Sequence, residues 1–537
     1  NPGGGALLDY QHDAGVNWIG LVKAAMNDQL SISLPGSRYL VLGLGLTGQA
    51  AARWLVDQGC ELVLVDTRPN LNLEALAADL NAVDPATLQW HLGTELSQAW
   101  LDDIDVVVVS PGLSPHETPI AGFLQAAQDA GKPVIGDVEL FAQALESLQA
   151  SDQYEPTVLA VTGTNGKTTV TALTRHMAQA CGWRAVAAGN IAPPVLEALS
   201  NAMQAPRDQW PDVWVLELSS FQLHYTATLK PRAAAVLNIS QDHLDWHASF
   251  DEYVADKARI FANAEVCVVN RNDPAVLAMV SGLEDPSVRS FGRDVPLYAH
   301  DVGLQASHDM QWLVSVEPED FEDQVKPVRR RKSDPPPARA AGRISRLMPV
   351  DALPMAGMHN TLNVLAAASL VRAAAGGWAP ILKAASTYHG EPHRMQFVRT
   401  VRDIDFYNDS KGTNVGATEA AVNGLARQLV LIAGGLAKAQ SFESLARALA
   451  YKARAVILIG QDASVLQAAL EQNKVKCMQA ADMANAVQRA FEVAQSGDAV
   501  LLSPACASFD MYSSYVERGQ VFMDEVSELA LSLGEVA

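Results

Sequence analysis

The sequence predicts an α/β protein made of three consecutive α/β units, and three observations predict it. Continuous runs of apolar, β-branched residues alternate with helical periodicity, the pattern of parallel strands covered by helices on both faces. That pattern restarts twice, near Val138 and near Pro392. The chain has 537 residues, enough for three or four domains at about 150 residues each. Its 49% apolar content can fill several cores.

Residues 1–36 open on Asn1-Pro2-Gly3-Gly4-Gly5 and hold one short amphipathic stretch, Trp18 to Met26, so they are expected to be an N-terminal extension. Asn1 in place of Met suggests a trimmed chain or an upstream start. The first unit is expected over 37–136, with strands Arg38–Leu42, Glu61–Val65 and Val106–Val109 and a helix over Ala50–Gln58. The second, over 137–388, has strands Thr157–Val161, Val213–Leu218 and Ala233–Asn238 and a helix after Lys167. The third, over 389–537, has strands Gln428–Ile432, Ala455–Ile459 and Ala499–Leu502. Within the second unit, residues near 300–350 read as a flexible insertion, because Arg329-Arg330-Arg331-Lys332 and Pro335-Pro336-Pro337 are basic and proline-rich. Removing Lys326 to Arg343 is expected to change folding and turnover little.

Lys and Arg number 39 against 60 Asp and Glu, a net charge of −21. That balance argues against a nucleic-acid or membrane-surface protein. A phosphorylated substrate is still allowed, since a local glycine loop can hold it without a global positive field. Five scattered cysteines without a CxxC pair fit a reducing compartment and exclude a thiolate zinc site. No apolar run approaches the roughly 20 residues that span a bilayer. The N-terminus lacks the basic, apolar and small-residue regions of a signal peptide, so a cytoplasmic location is expected.

Two glycine turns carry chemistry. Gly163-Thr164-Asn165-Gly166-Lys167-Thr168-Thr169 lies between a buried strand and a helix, where backbone N–H groups and the helix dipole can face phosphate oxygens. Lys167 would reach the β- and γ-phosphates and Thr168 would hold Mg²⁺. The strict P-loop pattern wants glycine where Val161 stands, so the match is near and incomplete. Glu217 and His243 follow other strands of the same unit and would share its ligand-binding edge as metal ligands. Alone, His243 would read as a loop histidine. Gly43-Leu44-Gly45-Leu46-Thr47-Gly48, with Asp66 ending the next strand, matches a dinucleotide fingerprint. A Rossmann-type dehydrogenase reading follows from that turn, with Asp66 on a ribose hydroxyl. It leaves Lys167, Thr168, Glu217 and the third unit without a role.

Taken together, the motifs resemble the Mur ligases of bacterial peptidoglycan synthesis, from about Arg38 to the C-terminus. They are Thr162 to Thr168, Glu217 to Leu223, Asp242-His243, Gly357-Met358-His359-Asn360 with Asn363, and Pro392-His393-Arg394. Asn408 to Asn414 and Ser503 to Asp510 are the most discriminating, and they look like the D-glutamate-adding branch. Other ligases of the superfamily, folylpolyglutamate synthase among them, are the alternatives. Residues 1–36 and roughly 300–350 exceed the family's usual chain, and Thr168-Thr169 stands where Ser-Thr is common.

The resemblance implies a Rossmann-like UDP-binding domain, a central P-loop ATPase domain and a Rossmann-like C-terminal domain. It implies ATP-dependent addition of D-glutamate to UDP-N-acetylmuramoyl-L-alanine through an acyl phosphate, by a monomer. ATP would be held by Gly163 to Thr169, Asn360, Asn363, Arg394 and Asp409. Two Mg²⁺ ions would be held by Thr168, Glu217, His243 and a carbamylated Lys257, which alone reads as a helix-surface lysine. Lys167, His243, Lys257 and Arg394 would be catalytic. Leu46, Thr47, Asp66, Thr67, Arg68, Gly112 and Asn190 would hold the UDP substrate. Thr413, Lys438, Ser508 and Phe509 would hold D-glutamate.

Overall fold

Three sheets follow one another along the chain in a computed structural model that describes residues 32–34, 36–69, 71–80, 85–318, 339–355, 357–425, 427–437 and 441–535. The stretch Trp18 to Met26, the Arg329–Lys332 run and Lys438 lie outside the described residues.

The first sheet is wholly parallel. Its strands are β1 (Arg38–Leu42), β2 (Glu61–Asp66), β3 (Leu88–Leu92), β4 (Val106–Val109) and β5 (Val134–Ile135), ordered β3-β2-β1-β4-β5. β4 is four valines, all buried, which is why it reads as a continuous run and not an alternating one. The strand order reverses between β1 and β4. Helix α1 (Leu46–Asp57) starts at the carboxyl end of β1 beside that switch point, where α/β sheets bind ligands.

The second sheet has nine strands: β6 (Thr157–Thr162), β7 (Ala185–Gly189), β8 (Val213–Glu217), β9 (Ala233–Val236), β10 (Cys267–Asn270), β11 (Val288–Phe291), β12 (Val302–Ser307), β13 (Met310–Glu317) and β14 (Arg343–Pro349). β6 lies third from one edge, with β8 and β9 as parallel neighbours. Helix α2 (Lys167–Ala180) follows β6, α3 (Phe250–Ala258) follows β9, and α4 (Met358–Ala373) packs on α2 with Asn360 to Val371 buried.

The flexible insertion near 300–350 is corrected here. β12, β13 and β14 pair antiparallel and extend the sheet, with Leu313, Val314 and Val316 in its interior. The apolar run Trp312 to Val316 was readable, but the neighbouring prolines and arginines drew the reading toward a linker. The far end of the segment Lys326 to Arg343 packs into this sheet. Arg339 is only 4% exposed, pairs with Asp301, and donates to Leu283 O and Ala299 O. Arg343 opens β14.

The third sheet is ordered β15-β16-β20-β17-β18-β19, from β15 (Gln396–Val401), β16 (Ile404–Asn408), β17 (Leu429–Gly434), β18 (Ala453–Ile459), β19 (Cys477–Gln479) and β20 (Ala499–Leu502). Only β15 runs antiparallel to its neighbour. Helix α5 (Trp378–Thr387) precedes this sheet, and α6 (Val415–Gly424) and α7 (Tyr515–Ser532) flank it.

Candidate active site

The phosphate loop is built at the end of β6. Gly163 takes φ 150° and Gly166 φ 85°, backbone states that disfavour side chains. A Cβ on Gly166 would meet Asn363 Oδ1 at 2.7 Å, so the glycine also lets α4 approach. Asn165 N–H donates to Asn238 Oδ1 at 2.8 Å, and Asn238 Nδ2 returns a bond to Asn165 O at 3.0 Å. Thr164 Oγ1 lies 2.8 Å from the Tyr253 hydroxyl and donates to Ser240 O. These bonds fix the loop from β9 and α3.

Two lysines converge behind it. Lys167 Nζ donates to Gly163 O at 2.8 Å and to Thr164 O at 2.9 Å. Lys257 Nζ donates to the same Gly163 O at 3.0 Å. Lys257 is 2% exposed, so the helix-surface alternative is wrong: Tyr253 on the preceding turn roofs it, with Nζ 4.8 Å from the ring centroid. Burial, reinforced by Lys167, pushes the Lys257 ammonium well below the usual lysine range. Burial also lowers Lys167, and Arg394 and Lys411 add to it, while Glu217 and Asp242 oppose. The field of the third unit's cations therefore reaches the phosphate loop.

Glu217, the last residue of β8, is buried. Asn190 Nδ2 donates to its Oε1 at 2.9 Å, and among the described residues its Oε2 has no hydrogen-bond partner. A buried, half-satisfied carboxylate whose charge acts on Lys167 fits a divalent cation, whose bond would satisfy that oxygen. Asp242 and His243 stand on the loop after β9, on the other side of β6, His243 with φ 54° and its ring on Phe221. Asn190, directly after β7, thus sits on the phosphate-loop edge of the second sheet.

The third unit closes on this edge through the turn Asn408 to Asn414. Asn414 caps α6 by accepting from Ala417 N–H, and its Nδ2 lies 3.4 Å from both Asn165 Oδ1 and Asp242 Oδ2. Asp409 is buried, accepting from Met395 N–H at 3.1 Å and Ser503 Oγ at 2.7 Å. Burial pushes its carboxyl up to about 6 against those bonds. Asn360 and Asn363 form one pair at 3.2 Å on the first turns of α4. Arg394 and Thr413 are half-buried and Ser508 is buried, whereas Phe509 is 72% exposed.

In the first sheet, Asp66 is buried and both its oxygens are engaged. Leu44 N–H donates to Oδ2 at 2.7 Å, and Arg68 Nε and NH2 form a fork on the two oxygens at 2.9 and 2.8 Å. Burial alone would raise this carboxyl, but Arg68 and the Leu44 amide hold it below the usual carboxylate range. Both oxygens thus orient the glycine turn and an exposed guanidinium. Leu46, Thr67 and Gly112 are exposed around that turn, with Thr47 half-buried.

Sequence reasoning missed Arg518. Its guanidinium, 1% exposed on α7, donates to Ser410 Oγ, Ser410 O and Cys506 O, tying the two discriminating turns together. Its spacing carries no signal; only the fold brings it there. Tyr253 and Asn238 were missed for the same reason.

Comparison with known proteins agrees along the chain. Residues 37–136 match the Mur ligase MurD-like N-terminal domain, 161–328 the Mur ligase middle domain, and 393–506 the Mur ligase glutamate ligase domain. The UDP-N-acetylmuramoylalanine–D-glutamate ligase of Bordetella avium is 52% identical over 514 residues, covering 95% of this chain and 100% of that protein. The protein of the same name from Cupriavidus metallidurans is 47% identical, covering 92% and 97%. Among solved structures, the UDP-N-acetylmuramate–alanine ligase MurC of Thermotoga maritima superposes with a TM-score of 0.51 at 16% identity, covering 92% of this chain and 100% of that one. Three matched domains in this order, and half the residues shared over nearly the full length, leave one conclusion: the chain belongs to the Mur ligase family.

Proposed function

We propose that the protein is an ATP-dependent ligase that joins D-glutamate to UDP-N-acetylmuramoyl-L-alanine in the synthesis of the peptidoglycan precursor. What carries the reading is the contact of the Asn408–Asn414 turn with the phosphate loop, in a chain sharing 52% identity with a ligase of that name. The L-alanyl carboxylate oxygen attacks the γ-phosphorus of ATP, and ADP leaves. The neutral amine of D-glutamate adds to the acyl phosphate carbon, and phosphate leaves as the amide forms. Such catalysis is mostly positioning and charge neutralisation.

Lys167 exchanges its two loop carbonyls for γ-phosphate oxygens, and Arg394 supplies a second cation. Gly163 to Thr169 cradle the phosphates, Asn360 and Asn363 take the adenine, and Asp409 takes the ribose. Although two of its contacts are in use, a carboxylate offers about four acceptor sites. Arg68 with Leu46, Thr47, Thr67 and Gly112 holds the UDP end, and Asn190 the far end of that substrate. Thr413, Lys438, Ser508 and Phe509 receive D-glutamate. Thr168 and Glu217 would hold one Mg²⁺, and His243 and Lys257 a second; bound there, the metal would neutralise charge on the phosphoryl oxygens. The lowered ammonium of Lys257 favours the neutral amine that adds CO₂, and the resulting carbamate is a metal ligand.

The reading also takes the enzyme as a cytoplasmic monomer; no helix among the described residues is long and apolar enough to cross a membrane. Phosphate release with UDP-N-acetylmuramoyl-L-alanine and ATP tests the activity, offering D-glutamate, L-glutamate, L-lysine and meso-diaminopimelate in turn. Turnover is expected with D-glutamate alone. Equal turnover with L-lysine or meso-diaminopimelate would sink the reading.

A further inference from the structure

The second sheet has a second concavity at the edge opposite the phosphate loop. A cavity of about 160 Å³ is lined by Arg232, Arg289, Arg372, His300, Glu317 and Trp378. Arg232 directly precedes β9 and Arg289 is the second residue of β11, both at the amino ends of strands whose carboxyl ends face the phosphate loop. Arg372 is in the last turn of α4, and Asn360 and Asn363 are in its first turns. At 1.5 Å per residue the two ends of that helix stand roughly 20 Å apart.

Three arginines and one carboxylate are among the lining residues. Glu317 Oε1 accepts from Ser315 Oγ at 2.7 Å and Trp378 Nε1 at 2.8 Å, and its Oε2 is 3.9 Å from Arg372 NH2. Arg232 is paired with Glu265, at the cavity's rim. Arg289 NH1 donates to Pro286 O and Val288 O, and among the described residues it forms no ion pair. The N-terminus of α5 begins at Trp378 and adds its positive dipole end. His300 is held below the usual histidine range, first by burial and then by Arg289, with Glu317 opposing. In a protein of net charge −21 this is a local positive well.

A purely structural role covers part of the set. Arg232 Nε donates to Ala373 O at 3.3 Å, capping the last carbonyl of α4, and Arg372 NH1 donates to Gly376 O at 2.8 Å in the turn that follows. That role leaves Arg289 over, a lining arginine without an ion pair among the described residues. We propose that this cavity is a binding site for a small, multiply charged oxyanion, of the size of phosphate or a short dicarboxylate, separate from the nucleotide site. Guanidinium forks bind such groups bidentately, and the cavity volume admits one.

The test is titration of the full chain with inorganic phosphate and, separately, malonate, reading the thermal midpoint and the heat of binding. At about ten times its dissociation constant the bound anion should raise the midpoint by about 3 °C. The shift should be the same in Lys167→Ala, which separates it from the nucleotide site. Glu317→Gln keeps the Ser315 and Trp378 bonds and removes the opposing charge, so it should tighten the anion severalfold. Arg289→Gln with Arg372→Gln should weaken it at least tenfold. A phosphate-only response names a phosphate as the ligand; an equal malonate response names the wider carboxylate class. A shift that vanishes in Lys167→Ala, or an affinity unmoved by Glu317→Gln, overturns the proposal even if the arginine variant fails to fold.

Discussion

The two glycine turns, Gly43 to Gly48 and Gly163 to Lys167, share a backbone plan and differ in where their charge sits. Each joins the carboxyl end of a parallel strand to a helix. In the first, a Cβ on Gly48 would collide with Gly43 O, so the glycine serves close strand–helix packing. Its cation, Arg68, comes from the next strand's end and is aimed by the buried Asp66. In the second, the cation is inside the turn, a second lysine stands behind it, and a half-satisfied carboxylate stands beside it. The first arrangement can hold a diphosphate that does not react. The second can also neutralise charge that moves during phosphoryl transfer and can hold a metal. Backbone geometry makes both turns phosphate-compatible; the placement of charge decides which of them can do chemistry.

The sharpest way to break this contrast is Lys167→Ala. Losing the one cation within the turn should lower turnover by at least about 10³, the scale seen when a transition-state donor is removed. The fold should survive, because the side chain contributes contacts to two loop carbonyls and no core packing. Binding of the UDP substrate should persist. Loss of both ligands together in a folded variant would merge the two turns into one site.

A second effect, on stability, is expected at the second turn's third-unit partner. The Asp409 carboxyl is raised to about 6, above the unfolded value near 4. Its contribution is therefore full below pH 4 and is lost as pH rises through about 6, where the buried group ionises. Asp409→Asn escapes that loss and should gain on the order of 2 kcal/mol above pH 6. The gap in urea midpoint between variant and wild type should open between pH 4 and pH 6 and stay flat above. The same change should weaken ATP if Asp409 meets the ribose. A gap independent of pH would show that the carboxylate is not the source.

Much of this was legible. Glycines, lysine and strand–helix order announce both turns locally, so Gly163 to Thr169 and Gly43 to Gly48 could be read without a structure. Glu217 and His243 needed one topological step, that parallel strands share an edge. Residues recruited from afar were not legible. Arg518 reaches the Asn408–Asn414 turn from 108 residues away, and Asp66 is satisfied by Leu44 and Arg68 in a way that spacing does not state. Lys257 looked solvated because helical periodicity places it on a face without saying what covers that face. β12 to β14 were lost to composition, since prolines and arginines nearby outweighed a short apolar run.

Lys438, outside the described residues, belongs to the same contrast, since its charge would serve a substrate and not a phosphate. D-glutamate brings two carboxylates to an acidic protein, and truncating one partner of a desolvated charge pair costs about 2–5 kcal/mol. Lys438→Ala should raise the KM for D-glutamate well over tenfold with the KM for ATP unmoved. Kinetics at varied D-glutamate decide it, and an unchanged KM removes the residue from the site.

A smaller effect is expected at the first turn. Asp66→Asn keeps the shape but loses the charged fork to Arg68, whose guanidinium is 58% exposed and hence screened by water. The KM for the UDP substrate should rise about tenfold and kcat should hold. The lowered carboxyl also makes Asp66 stabilising above the unfolded value near 4, a contribution lost as pH falls further, through its own folded value. A fall in kcat with KM unchanged would place Asp66 in the chemistry and erase the contrast between the turns.

The smallest effect should come from the segment that contains neither turn. Residues 326–337 carry Arg329 to Lys332 and three consecutive prolines, with few residues able to form a core. Deleting them is expected to leave kcat and the thermal midpoint close to wild type. Extending the deletion through Arg343 should behave differently. It removes Arg339, buried with Asp301 beneath β12, and the first residue of β14. Breaking such a pair from one side leaves an uncompensated buried charge and costs about 3–5 kcal/mol. Arg339→Ala in the intact chain isolates that loss without shortening anything. Because the hydrogen bonds of the pair reach neither turn, its removal should lower the midpoint while leaving the KM values for ATP and the UDP substrate in place. Should the short deletion by itself reduce turnover in a well-folded protein, the basic segment has a part in the reaction, and charge placed outside both turns matters as much as charge within them.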